Sequence, residues 1–313
     1  MFLKLSSLIT RVRTGYSAKQ LNALYLMHSI DSLAGGLSGI FIPIYFLTLG
    51  YKLTQVFTYF IFYSLGVMVF FVLAAYLVNN LGYKKVLLLR FPFVFLYLGG
   101  VLFLKKLNIP INLLAVIHSV DISLYWFSLH VIFGSNTNEE EMGRNVSKLY
   151  AWPQVTAIIA PIVGGTIAVF FGFYYLFIVA ILFYLVSAFP LLTMSEIKTY
   201  ANFKIEKLFY YIKKYKKYLL LETIENIREE MEGVVWPIYV FLFLSSIAVT
   251  GEKTGIFSVG AVSALLNASA LVFTLFVGRY TDKKGKKGML KTGMLLAIRS
   301  ALSSLFNTAV PIC

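Results

Sequence analysis

Apolar residues in this chain come in long runs, and the polar residues that interrupt them are clustered. A helix needs about 20 mostly apolar residues to cross a bilayer. Nine stretches approach or exceed that length: 21–49, 55–78, 86–104, 111–134, 150–170, 173–193, 219–250, 255–280 and 290–310. Strand-like alternation is absent, and the runs exceed the roughly 9–11 residues of a barrel strand. The pattern predicts an all-α membrane protein, a polytopic helical bundle. Its connections are short except for 194–218, which divides the chain into a six-helix half (1–193), a basic linker (194–218) and a shorter part (219–313) holding spans seven to nine. In the linker Ile205, Leu208, Phe209 and Ile212 share a helical face. It reads either as a solvated charged segment or as an amphipathic helix on a bilayer with anionic headgroups.

Composition sharpens this picture. Apolar residues make up 59% and charged residues 13%, against about 45–50% and 25% in soluble domains. A disordered tail, a disulfide scaffold and an ordinary cytosolic enzyme are excluded, and the single Cys313 forms neither an internal disulfide nor a thiolate metal cage. The net charge of +14 would point to nucleic acid if it lay on a soluble surface. It does not. With the N-terminus placed in the cytoplasm, 22 basic residues fall at inner connections, among them Lys84, Lys85 and Arg90, while Lys52, Lys105, Lys106 and Lys253 alone fall outside. The charge is therefore a topology signal, with no nucleic acid implied. No small-residue cleavage site follows the first run, so that run is an uncleaved span and not a signal peptide.

Ionisable residues inside spans are costly and default to function. The first span carries His28 and Asp31, and the fourth carries His118 and Asp121 with the same H-x-x-D spacing, each pair on one helical face. At about 100° per residue, Glu222, Glu225, Glu229 and Glu232 of the seventh span form one stripe, with Arg228 beside it. The first and seventh spans also repeat a motif: Gly39, Pro43, Ile44 and Tyr45 recur as Gly233, Pro237, Ile238 and Tyr239 at an offset of 194, which aligns His28 and Asp31 with Glu222 and Glu225. Pro43 and Pro237 are expected to kink their helices. Two readings stay open at several positions. Residues 219–232 are either the start of span seven or a surface helix. His28 and His118 either tune carboxylates or serve packing, and Trp126 and Trp236 are either cavity aromatics or interfacial anchors.

The run Gly278-Arg279-Tyr280-Thr281-Asp282-Lys283-Lys284-Gly285-Lys286-Lys287 resembles the G-x-x-x-D-[RK]-x-G-[RK]-[RK] signature of the major facilitator superfamily. A degraded first-half copy has Ala75, Asn79 and Asn80 in place of the family residues but keeps Gly82 and Lys84. Pro161, Gly164 and Gly165 resemble the end of the family's fifth-helix antiporter motif, with Ala160 replacing its first glycine. The fourth span lacks the arginine of the family's proton-relay signature. Such a fold has twelve spans in two halves, so the resemblance implies a chain cut short in its second half.

It also implies a secondary transporter whose spans one, four, seven and ten line a central cavity, which matches where the in-span charges fall. On that reading a small-molecule substrate, with protons as a coupling ion, meets His28, Asp31, His118, Asp121, Glu222, Glu225, Arg228, Trp126 and Trp236. Asp31, Asp121, Glu222 and Glu225 take substrate or proton, and Arg228 is the counter-ion. Gly278, Asp282, Lys283, Gly285, Lys286 and Lys287 form a cytoplasmic gate that opens and closes with the cycle. The cavity acids favour a cation or proton-coupled export across the cell membrane by a monomer. No covalent chemistry, cofactor or metal is expected. A non-transporting fragment is one alternative. A haem protein using the three in-span histidines is a remoter one, since neither H-E-x-x-H nor C-x-x-C-H occurs.

Overall fold

The computed structural model describes residues 18–137, 142–195, 231–247 and 251–284, together with 210, 212–217, 220 and 223–224. Its helices are α1 (Ala18–Ser38), α2 (Ile42–Thr48), α3 (Leu53–Leu81), α4 (Tyr83–Leu102), α5 (Ile111–Ser135), α6 (Met142–Phe170), α7 (Phe173–Leu192), α8 (Trp236–Ile247) and α9 (Glu252–Lys284). No strand occurs among the described residues.

Seven stretches are long and apolar enough to cross a membrane: Lys19–Thr48, Leu53–Leu81, Tyr83–Leu102, Ile111–Ser135, Asn145–Phe170, Phe173–Leu192 and Glu252–Val272. They correspond to spans one to six and eight of the hydropathy reading. Of the seventh, the described apolar helix is Gly233–Ile247, shorter than the roughly 20 residues of a crossing helix. The ninth, at 290–310, lies outside the described residues, as does most of the 194–218 linker.

Two compact units are present, Met1–Ala264 and Leu265–Cys313. Within the first, α1 packs against α6 and α7, while α5 packs against α3 and α4. These two helix triplets meet chiefly where α4 runs along α7, with a lesser contact of α1 on α5. Burial follows the same plan: Leu24, Met27, Phe46, Tyr59, Tyr83 and Phe177 are fully inside. Along α3, Ile61, Leu65 and Met68 are more than half exposed, the outward apolar face that a lipid-facing helix needs.

The first span is not one continuous helix. Pro43 has no N–H to offer the Gly39 carbonyl and its ring crowds that turn. The chain answers with a 3₁₀ segment at Gly39–Phe41 between α1 and α2. At the repeat position, a π-turn at Met231–Val235 precedes α8, whose second residue is Pro237. Both copies of the G-x-x-x-P motif thus interrupt regular helix just ahead of the proline. Elsewhere the turns are short. A single residue, Gly82 at φ 90°, joins α3 to α4, a left-handed conformation that glycine adopts without a Cβ penalty.

The helix of the eighth span runs four residues past its expected end at 280. The α9 backbone stays helical through Lys284, so Gly278 lies within the helix and Asp282 and Lys283 lie in its last turn. A polar run at a helix end lacks a proline, and the Gly278 position alone is too weak a break to stop the helix. Gly285, Lys286 and Lys287 lie outside the described residues.

Candidate functional site: a buried arginine between two aspartates

Arg90 corrects the charge count. Its nearness to Lys84 and Lys85 put it with the inner basic set, but it sits in α4 with 1% of its surface exposed. A count by sequence position does not register which way a helix face turns, and the Arg90 face turns toward acids. Its Nη1 donates to Asp31 Oδ1 at 2.8 Å. Its Nε donates to Asp121 Oδ1 at 2.6 Å and its Nη2 to Asp121 Oδ2 at 3.4 Å. The Asp121 contact uses two guanidinium nitrogens on two carboxylate oxygens, the bidentate geometry that arginine provides and lysine does not. Ser187 of α7 adds a hydrogen bond to Asp31 Oδ1 at 3.3 Å. The third span therefore carries the central charge of the bundle.

All four groups lie on the seam between the helix triplets: Asp31 and Ser187 come from one side, Arg90 and Asp121 from the other. The guanidinium also lies over the Tyr125 ring, 4.2 Å from its centroid, and such a contact is strengthened by desolvation.

Successive spans alternate in direction, so the first and fourth run antiparallel. That converts two identical H-x-x-D motifs into a symmetric arrangement, with the aspartates meeting at Arg90 and the histidines lying on opposite sides of it. His28 hydrogen-bonds the Tyr125 hydroxyl through Nδ1 and meets Trp126 edge-on at 5.9 Å. Trp126 in turn stacks on His130 at 5.5 Å. On the other side, His118 stacks on Tyr97 at 4.1 Å and on Tyr63 at 4.7 Å. Its Nδ1 lies 3.1 Å from the Tyr59 hydroxyl, which donates to Tyr97 at 3.0 Å. Each histidine thus bonds a tyrosine on another helix instead of the aspartate on its own.

A cavity of about 210 Å³ opens beside this second cluster, with Tyr59, Tyr63, Tyr97, His118, Asp121 and Tyr184 in its wall. Its floor along α1 and the segment after it includes Gly35, Ser38 and Gly39.

The fifth-span motif has a packing role. A methyl group on Gly164 would strike the Leu37 carbonyl of α1, and one on Gly260 of α9 would strike the Pro161 carbonyl. Gly165 faces the Gly260 Cα at 3.7 Å from its would-be Cβ. Pro161, Gly164 and Gly165 therefore let α6 lie close to α1 on one side and α9 on the other.

Other expected site residues lie apart from the triad or beyond description. Trp236 is half exposed on α8 and meets Tyr239 edge-on at 5.6 Å. Glu222, Glu225 and Arg228 lie outside the described residues, as do the side chains of Asp282 and Lys283. Sequence reasoning missed Arg90, Tyr59, Tyr97, Tyr125 and Ser187. For Arg90 the available signal was its place within the 86–104 apolar run.

Compared with known proteins, the family model described as Major Facilitator Superfamily matches residues 24–310. No curated protein matches the chain.

Proposed function

Since the chain belongs to the Major Facilitator Superfamily, a family of membrane transporters, we propose that it is a secondary transporter moving a small solute across the cell membrane by alternating access, coupled to protons at Asp31 and Asp121. The observation that carries this reading is the buried cluster in which one guanidinium faces two carboxyl groups. With both aspartates ionised the cluster holds one negative charge in excess, which a membrane interior strongly disfavours. A proton on either carboxyl balances it. A site that must take up a charge, placed on a seam between two packed helix groups, has the parts needed to link protonation to helix movement.

Glu222, Glu225 and Arg228 are the proposed counterparts in the second half. Gly278, Asp282, Lys283, Gly285, Lys286 and Lys287 are the proposed cytoplasmic gate, with the N-terminus on the same side.

The test is Asp31→Asn in the full chain, reconstituted in liposomes and challenged with a panel of radiolabelled solutes. The variant leaves Arg90 and Asp121 as a neutral pair with no need for a proton. For any solute that wild type accumulates under a pH gradient, the variant should lose the gradient-driven accumulation and keep one-for-one exchange. Wild-type accumulation by Asp31→Asn would defeat the assignment of Asp31.

A further inference from the structure

We propose that the cavity walled by Tyr59, Tyr63, Tyr97, His118 and Asp121 binds a small organic cation, an inference that rests on the transporter reading and names its substrate class. Four features of the cavity carry it.

The first is charge. Of the three members of the buried cluster, Asp121 alone forms part of the cavity wall, and among the described residues no Lys or Arg lines it. A ligand entering this space meets a carboxylate before it meets the guanidinium. Because the cluster has two acids to one base, a cation in the cavity supplies the charge that a proton otherwise supplies.

The second is the chemistry of the wall. Tyrosine faces attract cations through their negative π surface, and a group of them is the recurring means of holding an ammonium. Tyr63 and Tyr97 each stack on His118, with ring planes 29° and 1° apart, so each commits one face to the imidazole and keeps the other for a ligand.

The third feature argues against an anionic ligand. The Tyr59 and Tyr97 hydroxyls and the His118 Nδ1 already bond one another. An anion needs cationic side chains, whereas among the described lining residues the one Asp, Glu, Lys or Arg is Asp121, with the Ser38, Tyr63 and Tyr184 hydroxyls beside it.

The fourth is size. At about 210 Å³ the space falls below the roughly 300–1,000 Å³ of drug-sized pockets. A compact ammonium compound fits, and a large lipophilic cation does not. The cavity also lies wholly among helices of the first six spans, on the triplet seam, so its occupant and the Arg90 cluster share one wall at Asp121.

The experiment uses the full chain in detergent and measures equilibrium binding of tritiated choline. Its uncharged isostere, 3,3-dimethyl-1-butanol, serves as competitor. Choline should bind saturably, with the isostere at least about tenfold weaker. Tyr63→Leu, which removes one ring outside the ion cluster, should weaken choline about fivefold. Absence of saturable binding, equal affinity for the isostere, or unchanged affinity in Tyr63→Leu would each overturn the proposal. The transporter reading fails separately: saturable choline binding with no solute flux in liposomes would leave the cation site standing and remove the function built on it. Gradient-driven flux of an uncharged solute, unaffected by Tyr63→Leu, would do the reverse.

Discussion

Arg90 has five N–H donors and directs three of its nitrogens at two aspartates while its plane covers a tyrosine ring. Removing such a group leaves two carboxyls facing each other without their partner, and breaking a buried ion pair typically costs about 3–5 kcal/mol. Arg90→Met should therefore lower the thermal unfolding temperature sharply in detergent. Adding Asp31→Asn and Asp121→Asn to it should recover most of the loss, because the charges that needed Arg90 are then gone. A single Arg90→Met variant that melts like wild type would show that the cluster does not hold the bundle. The two aspartates were legible in the sequence because an acid inside an apolar run has few bland explanations. Their shared partner was not, since an arginine a few residues beyond two lysines looks the same to a charge count whether it points to water or to protein. The tyrosines were illegible for a related reason: a Tyr in a span reads as apolar bulk until its hydroxyl is seen against a histidine.

The helices themselves meet where side chains are smallest. Gly164 presses its Cα side against the Leu37 carbonyl, which leaves no room for a branched side chain, and overpacking of this kind costs about 1–3 kcal/mol. Gly164→Val should lower the unfolding temperature by several degrees. Gly134→Ala should not, because nothing lies within 4 Å of the Cβ it would add and alanine favours helix more than glycine does. Equal behaviour of the two variants would contradict a packing role for the fifth-span motif. At this scale the sequence was readable in part. Prolines marked where the first span and α8 depart from regular helix, because the missing N–H has a fixed consequence. The form of the departure, 3₁₀ at Gly39–Phe41 and π at Met231–Val235, depends on how the neighbouring helices pack and left no trace in local spacing. Gly278 stays helical within the expected eighth span, since a glycine in a helical context costs only about 1 kcal/mol and α9 runs past it.

For the whole molecule, hydropathy placed the first six spans to within about five residues and the start of the eighth within three, since about 30 Å of hydrocarbon enforces a minimum length that composition alone reveals. The seventh span resisted because acidic residues crowd 222–232, where a surface helix and a cavity-facing span look alike. Moving Arg90 from the inner set to the core leaves 21 basic residues on the proposed cytoplasmic side against four outside, so the orientation argument is hardly altered. Cysteines introduced in place of Lys52 and Lys253 should react with a membrane-impermeant thiol reagent in intact cells, with Cys313 changed to serine to remove the background. Cysteines at Lys85 and Lys207 should react only after permeabilisation. The reversed labelling pattern would invert the molecule.

The order of the cluster along the chain also bears on how the protein is made. Asp31 precedes Arg90 by 59 residues, and Asp121 follows it by 31. During synthesis the first span is already in the membrane when the arginine leaves the ribosome, so a carboxylate is waiting for it. Inserting an unpaired arginine costs about 2.5–3.5 kcal/mol at a helix centre, a cost that a partner already in the membrane reduces. Exchanging the aspartate and arginine, as D31R with R90D, would keep a carboxylate–guanidinium pair across positions 31 and 90 and reverse the order of arrival, so that the first span would have to enter lipid carrying a bare guanidinium.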